Sequence, residues 1–225
     1  MSDQTKQPHL EWRGGHVPVA TRFDDPYFSL ADGAAETRHV FIDGNDLPNR
    51  IRDGFRVGEL GFGTGLNLCV LLDLWFCTKR PGKIHFTSFE AFPLPQYESA
   101  RALRAFPHLA AAASVVASGF QNDPFQLSRS DCEANVILGD ARDTVAAWDH
   151  KVDAWFLDGF SPQKNPELWE AALLQSVFDK TSKGGTFATY SAAGYIRQRL
   201  SDVGFEVARV KGFGRKRHMT IGRKP

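Results

Sequence analysis

The chain has 225 residues, of which 42% are hydrophobic and 24% charged, which is typical of a globular protein with a substantial core. The net charge of +1 excludes nucleic-acid binding through overall charge alone. Three cysteines without a C-x-x-C pair argue against a disulfide framework and a zinc site, and no apolar run is long enough to span a membrane. We predict one cytoplasmic domain over residues 1–225, without a metal.

The N-terminal part of the chain does not alternate strands with helices. Residues 1–50 are therefore predicted to be an N-terminal addition to a core at 51–225. Turn residues beside aromatic ones at 18–29 predict a loop or short irregular structure. The apolar run that follows predicts a strand over residues 36–43, before a turn rich in aspartate.

A glycine-rich turn follows the first predicted core strand and contains Gly61, Gly63 and Gly65. Glycine adopts positive φ and lets a ligand approach the backbone, and the next helix directs its positive dipole end there. The turn therefore predicts a nucleotide-like ligand. A dinucleotide fingerprint requires G-x-G-x-x-G, but Leu66 stands in place of the last glycine. With Glu59 before the first glycine, the stretch resembles the first motif of class I S-adenosylmethionine (SAM) methyltransferases.

From residue 55 onward, predicted strands alternate with predicted helices, which indicates a parallel sheet with helices on both faces. The predicted strands are 55–60, 83–89, 135–138, 152–157, 186–190, 205–210 and 218–222. The predicted helices are 66–76, 97–106, 109–116, 141–148, 165–180 and 192–203, with a loop insertion at 118–134. The last two strands are close enough to pair as an antiparallel hairpin. We predict an α/β fold of the class I methyltransferase type, with a mostly parallel seven-stranded sheet and a C-terminal antiparallel hairpin.

Polar residues stand at the ends of several predicted core strands, where ligands of such sheets bind. Glu90 closes the second strand and is predicted to accept hydrogen bonds from ribose hydroxyls. Asp140 closes the third strand, where it can contact an adenine amine, cap the following helix, or do both, and Ala141 leaves room for the ring. Asp158 closes the fourth strand and is predicted to face the transferred methyl group.

Methylation of an amine gives a carboxylate at Asp158 a specific task. A primary amine has a pKa near 10, and its protonated form has no lone pair for attack. Presenting it neutral at pH 7 costs about 4 kcal/mol, at about 1.36 kcal/mol per pKa unit. A carboxylate orients the ammonium and offers a route for its proton, although it also favours the charged form.

The C-terminal region is locally basic. From residue 209 onward it has seven basic residues and no acidic one, and the loop between the last two strands contains Arg215, Lys216 and Arg217. A charge run is usually only a solvated surface. Here the basic residues accompany an aromatic residue and two glycines, a combination suited to a phosphate backbone and a flipped base. We therefore predict nucleic-acid contact at this loop.

Six stretches resemble the methyltransferase domain of the MnmC family of bifunctional tRNA-modifying proteins. They are FDDPYFS at 23–29, ETR at 36–38, ELGFGTGLN at 59–67, SFEAFP at 88–93, VDAWFLDGFSPQKNP at 152–166 and KGFGRKR at 211–217. The resemblance implies SAM-dependent conversion of an aminomethyl to a methylaminomethyl group on the wobble uridine of the tRNA anticodon loop. In the bifunctional form a flavin-dependent oxidase domain follows, and no second glycine-rich fingerprint occurs here, so a separate oxidase is expected to act upstream.

The resemblance and the strand-end residues together define a predicted site with Asp158 as its catalytic residue. The cofactor set is Tyr27, Glu59, Gly61, Phe62, Gly63, Thr64, Gly65, Asn67, Glu90, Asp140 and Ala141. The substrate set is Asp25, Phe28, Phe160, Lys164, Arg215, Lys216 and Arg217. Asp25, Tyr27 and Phe28 are implied to form part of a lid over the cofactor and the target base.

Other functions remain open from the sequence. The chain can also be interpreted as a class I methyltransferase for a small-molecule or protein amine, or as a catalytically silent RNA-binding relative. An NAD-dependent oxidoreductase is disfavoured by Leu66.

Overall fold

The computed structural model describes residues 9–29 and 32–225. Within residues 1–50, three short strands form a separate antiparallel sheet: β1 (Leu10–Arg13), β2 (Val17–Ala20) and β3 (Asp25–Pro26). Two of them replace the irregular structure predicted for 18–29. The helices that follow are α1 (Gly33–Thr37), a π-helix (Arg38–Asp43) and α2 (Leu47–Arg50). Among the described residues, no helix has the length and apolarity needed to cross a bilayer.

The strand predicted over residues 36–43 was wrong, because that segment is helical. Asp32 caps α1 by accepting a hydrogen bond from the Ala35 amide at 2.9 Å. Val40, Phe41 and Ile42 are consecutive and all buried, so the segment shows no amphipathic period. Such a short apolar run cannot be assigned to helix or strand from periodicity alone.

The main sheet contains eight strands, and a long parallel run makes up its centre. They are β4 (Arg56–Leu60), β5 (Ile84–Glu90), β6 (Gln126–Ser128), β7 (Cys132–Leu138), β8 (Val152–Leu157), β9 (Thr181–Thr189), β10 (Glu206–Lys211) and β11 (His218–Arg223). Their spatial order is β10-β11-β9-β8-β4-β5-β7-β6. The strands β9, β8, β4, β5 and β7 are parallel, while β11 and β10 form the predicted antiparallel hairpin. The predicted fold class is confirmed.

The eighth strand corrects the prediction of a loop insertion over residues 118–134. That segment contains the end of a helix, the strand β6 and the first residues of β7. Leu127 is buried between two exposed neighbours, and β6 pairs with β7 in antiparallel register. Three residues are too few to show an alternating pattern in the sequence, so the edge strand was missed.

Helices cover both faces of the main sheet. They are α3 (Leu66–Thr78), α4 (Gln96–Leu103), α5 (Ala110–Gly119), α6 (Ala141–Ala147), α7 (Ala171–Asp179) and α8 (Gly194–Asp202), with short 3-10 turns at Pro107–Leu109 and Pro166–Trp169. One hydrophobic core lies under α3 and α5, and the other lies under α6, α7 and α8. The helix predicted over residues 165–180 is interrupted, because Glu170 has an extended backbone between the 3-10 turn and α7.

Candidate active site

A cavity of about 1130 Å³ opens at the carboxyl ends of the parallel strands. Because β4 has β5 on one side and β8 on the other, chain connections diverge there, and this is where such sheets bind ligands. The N-terminal addition and the β10–β11 loop complete the walls. Most of the predicted site residues line the cavity: Asp25, Tyr27, Phe28, Gly61, Phe62, Gly63, Thr64, Asn67, Glu90, Asp140, Ala141, Asp158, Phe160, Arg215 and Lys216.

Two glycines of the turn after β4 are required by their surroundings. Gly61 has φ +86°, and a Cβ there would lie 2.5 Å from the Asp158 carbonyl oxygen. Gly63 has φ +52°, and a Cβ there would lie 2.9 Å from Tyr27 Cδ1. Any larger residue would therefore be strained in backbone conformation and would also clash. The turn stays thin, so that the N-terminal addition can pack directly over it.

Glu90 lies at the end of β5 and contacts this turn. Its Oε2 accepts a hydrogen bond from the Gly63 amide at 3.0 Å, and its Oε1 accepts one from the Phe92 amide at 2.8 Å. The two bonds hold the carboxylate at the cavity wall and leave lone pairs free on both oxygens. This geometry suits the predicted ribose contact, which stays a prediction.

Asp140 caps α6 and is also ion-paired. Its carboxylate accepts a hydrogen bond from the Arg142 amide at 2.9 Å and lies 2.6 Å from the Arg142 guanidinium. The guanidinium lowers the pKa of Asp140, so that this carboxylate is ionised at neutral pH. The capping alternative is confirmed. A contact with an adenine amine, which is still a prediction, would share the carboxylate with Arg142.

Asp158 lies at the end of β8 and is partly buried at the cavity wall, where it joins a hydrogen-bonded network whose other members, Thr37, Asn67 and Glu59, are buried. Asn67 Nδ2 donates to Asp158 Oδ2 at 2.7 Å and to Glu59 Oε1 at 2.8 Å. The Thr37 hydroxyl donates to Asn67 Oδ1 at 2.9 Å. The side-chain amide of Asn67, in the first turn of α3, is therefore hydrogen-bonded to residues from β4, from the end of β8 and from α1.

Burial raises the pKa of the two carboxyl groups in this hydrogen-bonded network, Glu59 and Asp158. It raises the pKa of Asp158 to about 7, and the nearby Glu36 and Asp25 act in the same direction. The Asn67 hydrogen bond and the Lys216 ammonium act to lower it. The pKa of Asp158 therefore falls in the range expected of a proton acceptor that works near neutral pH.

The loop after β8 contacts the N-terminal addition. Asp25 Oδ2 accepts a hydrogen bond from the Ser161 amide at 2.8 Å, and Asp25 Oδ1 lies 3.8 Å from the Lys164 ammonium. Phe160 stacks on Phe23 with ring centroids 4.5 Å apart, and Tyr27 meets the Phe160 edge at 5.2 Å. These contacts pack the N-terminal addition against the loop that follows Asp158, and its role as a lid stays a prediction.

Lys216 points into the cavity. Its ammonium lies 2.8 Å from Glu36 Oε1 and 4.4 Å from the centroid of the Tyr190 ring. Its charge is therefore partly neutralised inside the protein. In the described part of the chain, neither Arg215 nor Arg217 has an ion-pair partner, so their charges stay available to an anionic ligand.

Four predicted site residues do not line the cavity: Glu59, Gly65, Lys164 and Arg217. Glu59 is fully buried behind Asn67, while Lys164 faces Asp24 and Asp25. Phe62 does line the cavity, but its ring packs against Phe125 in the core, with centroids 4.8 Å apart. Gly65 is the left-handed residue before α3.

Glu36 and Tyr190 are among the residues of the cavity wall that sequence reasoning missed. Glu36 appeared only within a resembling stretch, and it forms the ion pair with Lys216. Tyr190 directly follows β9, and its hydroxyl donates to the Gly159 carbonyl at 2.6 Å. The signal in the sequence that could have identified Tyr190 was its position at the end of a predicted strand. No cluster of three potential metal ligands occurs among the described residues.

Residues 108–225 match a family model described as S-adenosyl-L-methionine-dependent methyltransferase. The tRNA 5-methylaminomethyl-2-thiouridine biosynthesis bifunctional protein MnmC of Caulobacter sp. (strain K31) is 45% identical over 232 residues, which cover 96% of this chain and 38% of that protein. The protein of the same name from Chromohalobacter salexigens is 41% identical over 231 residues, covering 96% and 33%. The chain thus spans about a third to two fifths of the length of these curated relatives.

A solved structure is similar along almost the whole chain. MNMC2 from Aquifex aeolicus gives a TM-score of 0.78 at 25% sequence identity, covering 98% of this chain and 72% of that one. The similarity includes the N-terminal addition, because it covers 98% of this chain, whereas the family model matches only residues 108–225.

Proposed function

The chain belongs to a family of SAM-dependent methyltransferases, and on this premise we propose that it methylates the aminomethyl group of the wobble uridine in tRNA. The product is 5-methylaminomethyl-(2-thio)uridine. The observation that carries the proposal is the position of Asp158 beside the glycine turn, where Asp25 and Glu36 also line the cavity. Three carboxylates at one wall suit a cationic amine as the methyl acceptor.

The residues around the glycine turn fit SAM. Gly61 and Gly63 leave the backbone uncovered, Glu90 keeps free lone pairs, and Ala141 presents a small apolar surface near Asp140. These residues would hold the cofactor along the carboxyl ends of β4, β5 and β7. When bound, SAM supplies an electrophilic methyl group on a sulfonium.

Asp158 is proposed to receive the proton that the acceptor amine must lose. An ordinary aspartate with a pKa near 4 is a poor acceptor for a proton from an ammonium with a pKa near 10. Burial brings the pKa of Asp158 to about 7, which reduces this mismatch by roughly 4 kcal/mol. The same carboxylate orients the amine, so that positioning and proton removal come from one group.

The acceptor side of the cavity suits a nucleobase as carrier of the amine. Aromatic rings of Phe160, Tyr190 and Phe213 line it, and Arg215 stands at the same wall. Flipped bases stack on aromatic rings, while unpaired arginines bind the adjacent phosphates. The similarity to proteins named for tRNA 5-methylaminomethyl-2-thiouridine biosynthesis supports tRNA as the substrate.

The proposed reaction needs an aminomethyl group that is already in place. The curated relatives are bifunctional and longer than this chain, so a flavin-dependent oxidase is proposed to act upstream, either separately or in a further domain. Because tRNA is the substrate, the proposal places the reaction in the cytoplasm.

Methyl transfer from labelled SAM tests the proposal. The protein is incubated with tRNA that carries the aminomethyl modification and, in parallel, with tRNA that lacks it. We expect label only in the first tRNA, at the wobble uridine. Equal labelling of both, or labelling of neither, would contradict the proposal, and labelling of free primary amines at comparable rates would favour a small-molecule acceptor.

A further inference from the structure

The Asn67 side chain has a single orientation that satisfies its partners. Thr37 presents a hydroxyl donor to one end of the amide, and two carboxyl groups present acceptors to the other. The two N–H groups of Asn67 are therefore divided between Glu59 and Asp158. Asn67 is only 6% exposed and its bond to Glu59 is buried, whereas its bond to Asp158 is partly buried at the cavity wall.

Glu59 supports this amide from behind. It is 0% exposed, and its Oε1 accepts from Asn67 while its other oxygen faces Ser88. Glu59 is absent from the residues that line the cavity, whereas Asn67 and Asp158 both line it. A carboxyl group in this position cannot touch a ligand in the cavity. It can fix the amide that holds Asp158.

We propose that Glu59 and Asn67 are positioning residues that hold the Asp158 carboxylate toward the acceptor amine and do not bind the cofactor. The inference rests on the proposed catalytic role of Asp158. Without Asn67, Asp158 would lose the bond that fixes its rotamer, and its partly buried carboxylate would lose a donor. A displacement of about 1 Å at a reacting group can cost about 10²-fold in rate.

The test compares kcat, SAM affinity and the pKa of Asp158 in four variants. Asn67→Ala is expected to lower kcat about 10²-fold while the Kd for SAM changes less than about threefold. Thr37→Val, which is nearly isosteric, removes only the donor to Asn67 and is expected to have a smaller effect in the same direction. Glu59→Leu should lower kcat, whereas Glu59→Gln, which keeps an acceptor for the amide, should restore most of it.

A titration of Asp158 by carbon-13 carboxyl NMR gives a readout that is independent of turnover. The Asn67 hydrogen bond lowers the pKa of Asp158, so Asn67→Ala should raise it. Glu36 and Asp25, which raise this pKa, and Lys216, which lowers it, are unchanged in the variant. Asn135→Ala is the matched control, since Asn135 also pairs with a threonine hydroxyl, at 3.0 Å, but lies away from Asp158.

The outcomes separate this inference from the proposed function. If wild-type protein does not methylate the tRNA, the proposed function fails, and the NMR titration and SAM affinities still decide the positioning role. A Kd for SAM that rises more than about tenfold in Glu59→Gln, with kcat retained, would make Glu59 a cofactor ligand and overturn the inference. An unshifted Asp158 pKa in folded Asn67→Ala would overturn it as well.

Discussion

Asp158 combines three properties that its neighbours confer. It ends a central strand, one amide fixes its carboxylate, and burial raises its pKa to about 7. At the residue scale, these properties distinguish it from Glu90 and Asp140, which are tied to backbone amides and, for Asp140, to an arginine. Asp158 is therefore the carboxylate best placed to exchange a proton with a substrate.

Asp158→Ala is expected to lower kcat by about 10²- to 10⁴-fold with only a small change in the Kd for SAM. The reason is that the carboxylate is proposed to act on the acceptor amine and not on the cofactor. Kinetics with saturating SAM, together with calorimetry, measure the two quantities. Asp143→Ala, on the exposed side of α6, is the control. Comparable losses of turnover and SAM affinity would assign Asp158 to the cofactor site.

The pKa of Asp158 also predicts how activity depends on pH. Only the ionised carboxylate can take a proton, and burial raises its pKa to about 7. We expect kcat/KM to rise with pH up to about 7 and then to level off, because this ratio reports the free enzyme. Rates measured from pH 5.5 to 8.5 test this, and a flat profile between about 6 and 8 would contradict it.

At the element scale, the glycine turn and the β10–β11 loop both line the cavity. The turn is thin because positive φ values and close neighbours exclude side chains from it. The loop is basic, but its three charges differ in role, since Lys216 pairs with Glu36 while its two neighbours stay unpaired among the described residues. One element therefore suits a cofactor backbone contact and the other suits phosphates.

Gly63→Ala is expected to weaken SAM binding by about tenfold or more. Its Cβ would lie 2.9 Å from Tyr27, so either the turn or the N-terminal addition must shift. Gly54→Ala is the matched control, because Gly54 also has positive φ, at +72°, but a Cβ there meets nothing within 4 Å. Both variants incur backbone strain of about 1 kcal/mol, and calorimetry separates this from the clash. Equal SAM affinities in the two variants would exclude the steric explanation.

Reversing the charges of Arg215 and Arg217 to glutamate should weaken tRNA binding strongly and flatten its salt dependence, because phosphate contacts are lost. Titration of tRNA at two salt concentrations measures this. The control is the double variant Lys151→Glu and Lys183→Glu, which changes the net charge by the same amount as the arginine reversal. Both lysines are exposed and lie near the amino ends of β8 and β9. Unaltered tRNA binding and turnover on tRNA after the arginine reversal would show that this loop does not contact the tRNA.

On the scale of the whole molecule, the fold buries a carboxyl group at its centre. Glu59 lies on β4, between β5 and β8, and burial raises its pKa to about 8. The folded state therefore keeps a proton that the unfolded state releases above about pH 4.5. Since the folded state binds more protons in this range, its stability falls as pH rises toward 8.

Glu59→Gln should remove this contribution. The free energy of unfolding of the variant, relative to that of the wild type, is expected to increase between pH 5 and pH 8 by on the order of 1 kcal/mol or more. Urea unfolding at both pH values measures the difference. Glu206→Gln, on the exposed side of β10, is the control. A difference that does not vary with pH would show that Glu59 is ionised in the folded protein.

The amino-acid sequence by itself determined the order of most strands and helices, the glycine turn and the terminal hairpin. These features depend on local composition: strands of apolar residues, helices between turn formers, and glycines where the backbone has positive φ. Gly61, Glu90 and Asp158 could be placed at one edge because the carboxyl ends of parallel strands meet there. The similarity of six short stretches to one family then indicated the chemistry.

Only the tertiary structure decided the segments and contacts that depend on distant residues. The run at 38–43 is a π-helix because the core accommodates three consecutive buried side chains, and β6 exists because β7 offers it an edge. Lys216 pairs with Glu36 across 180 positions of the chain. Asn67 bridges Glu59 and Asp158, 8 and 91 positions away. Burial and proximity of this kind set the proton affinity of Asp158, and no local pattern encodes them.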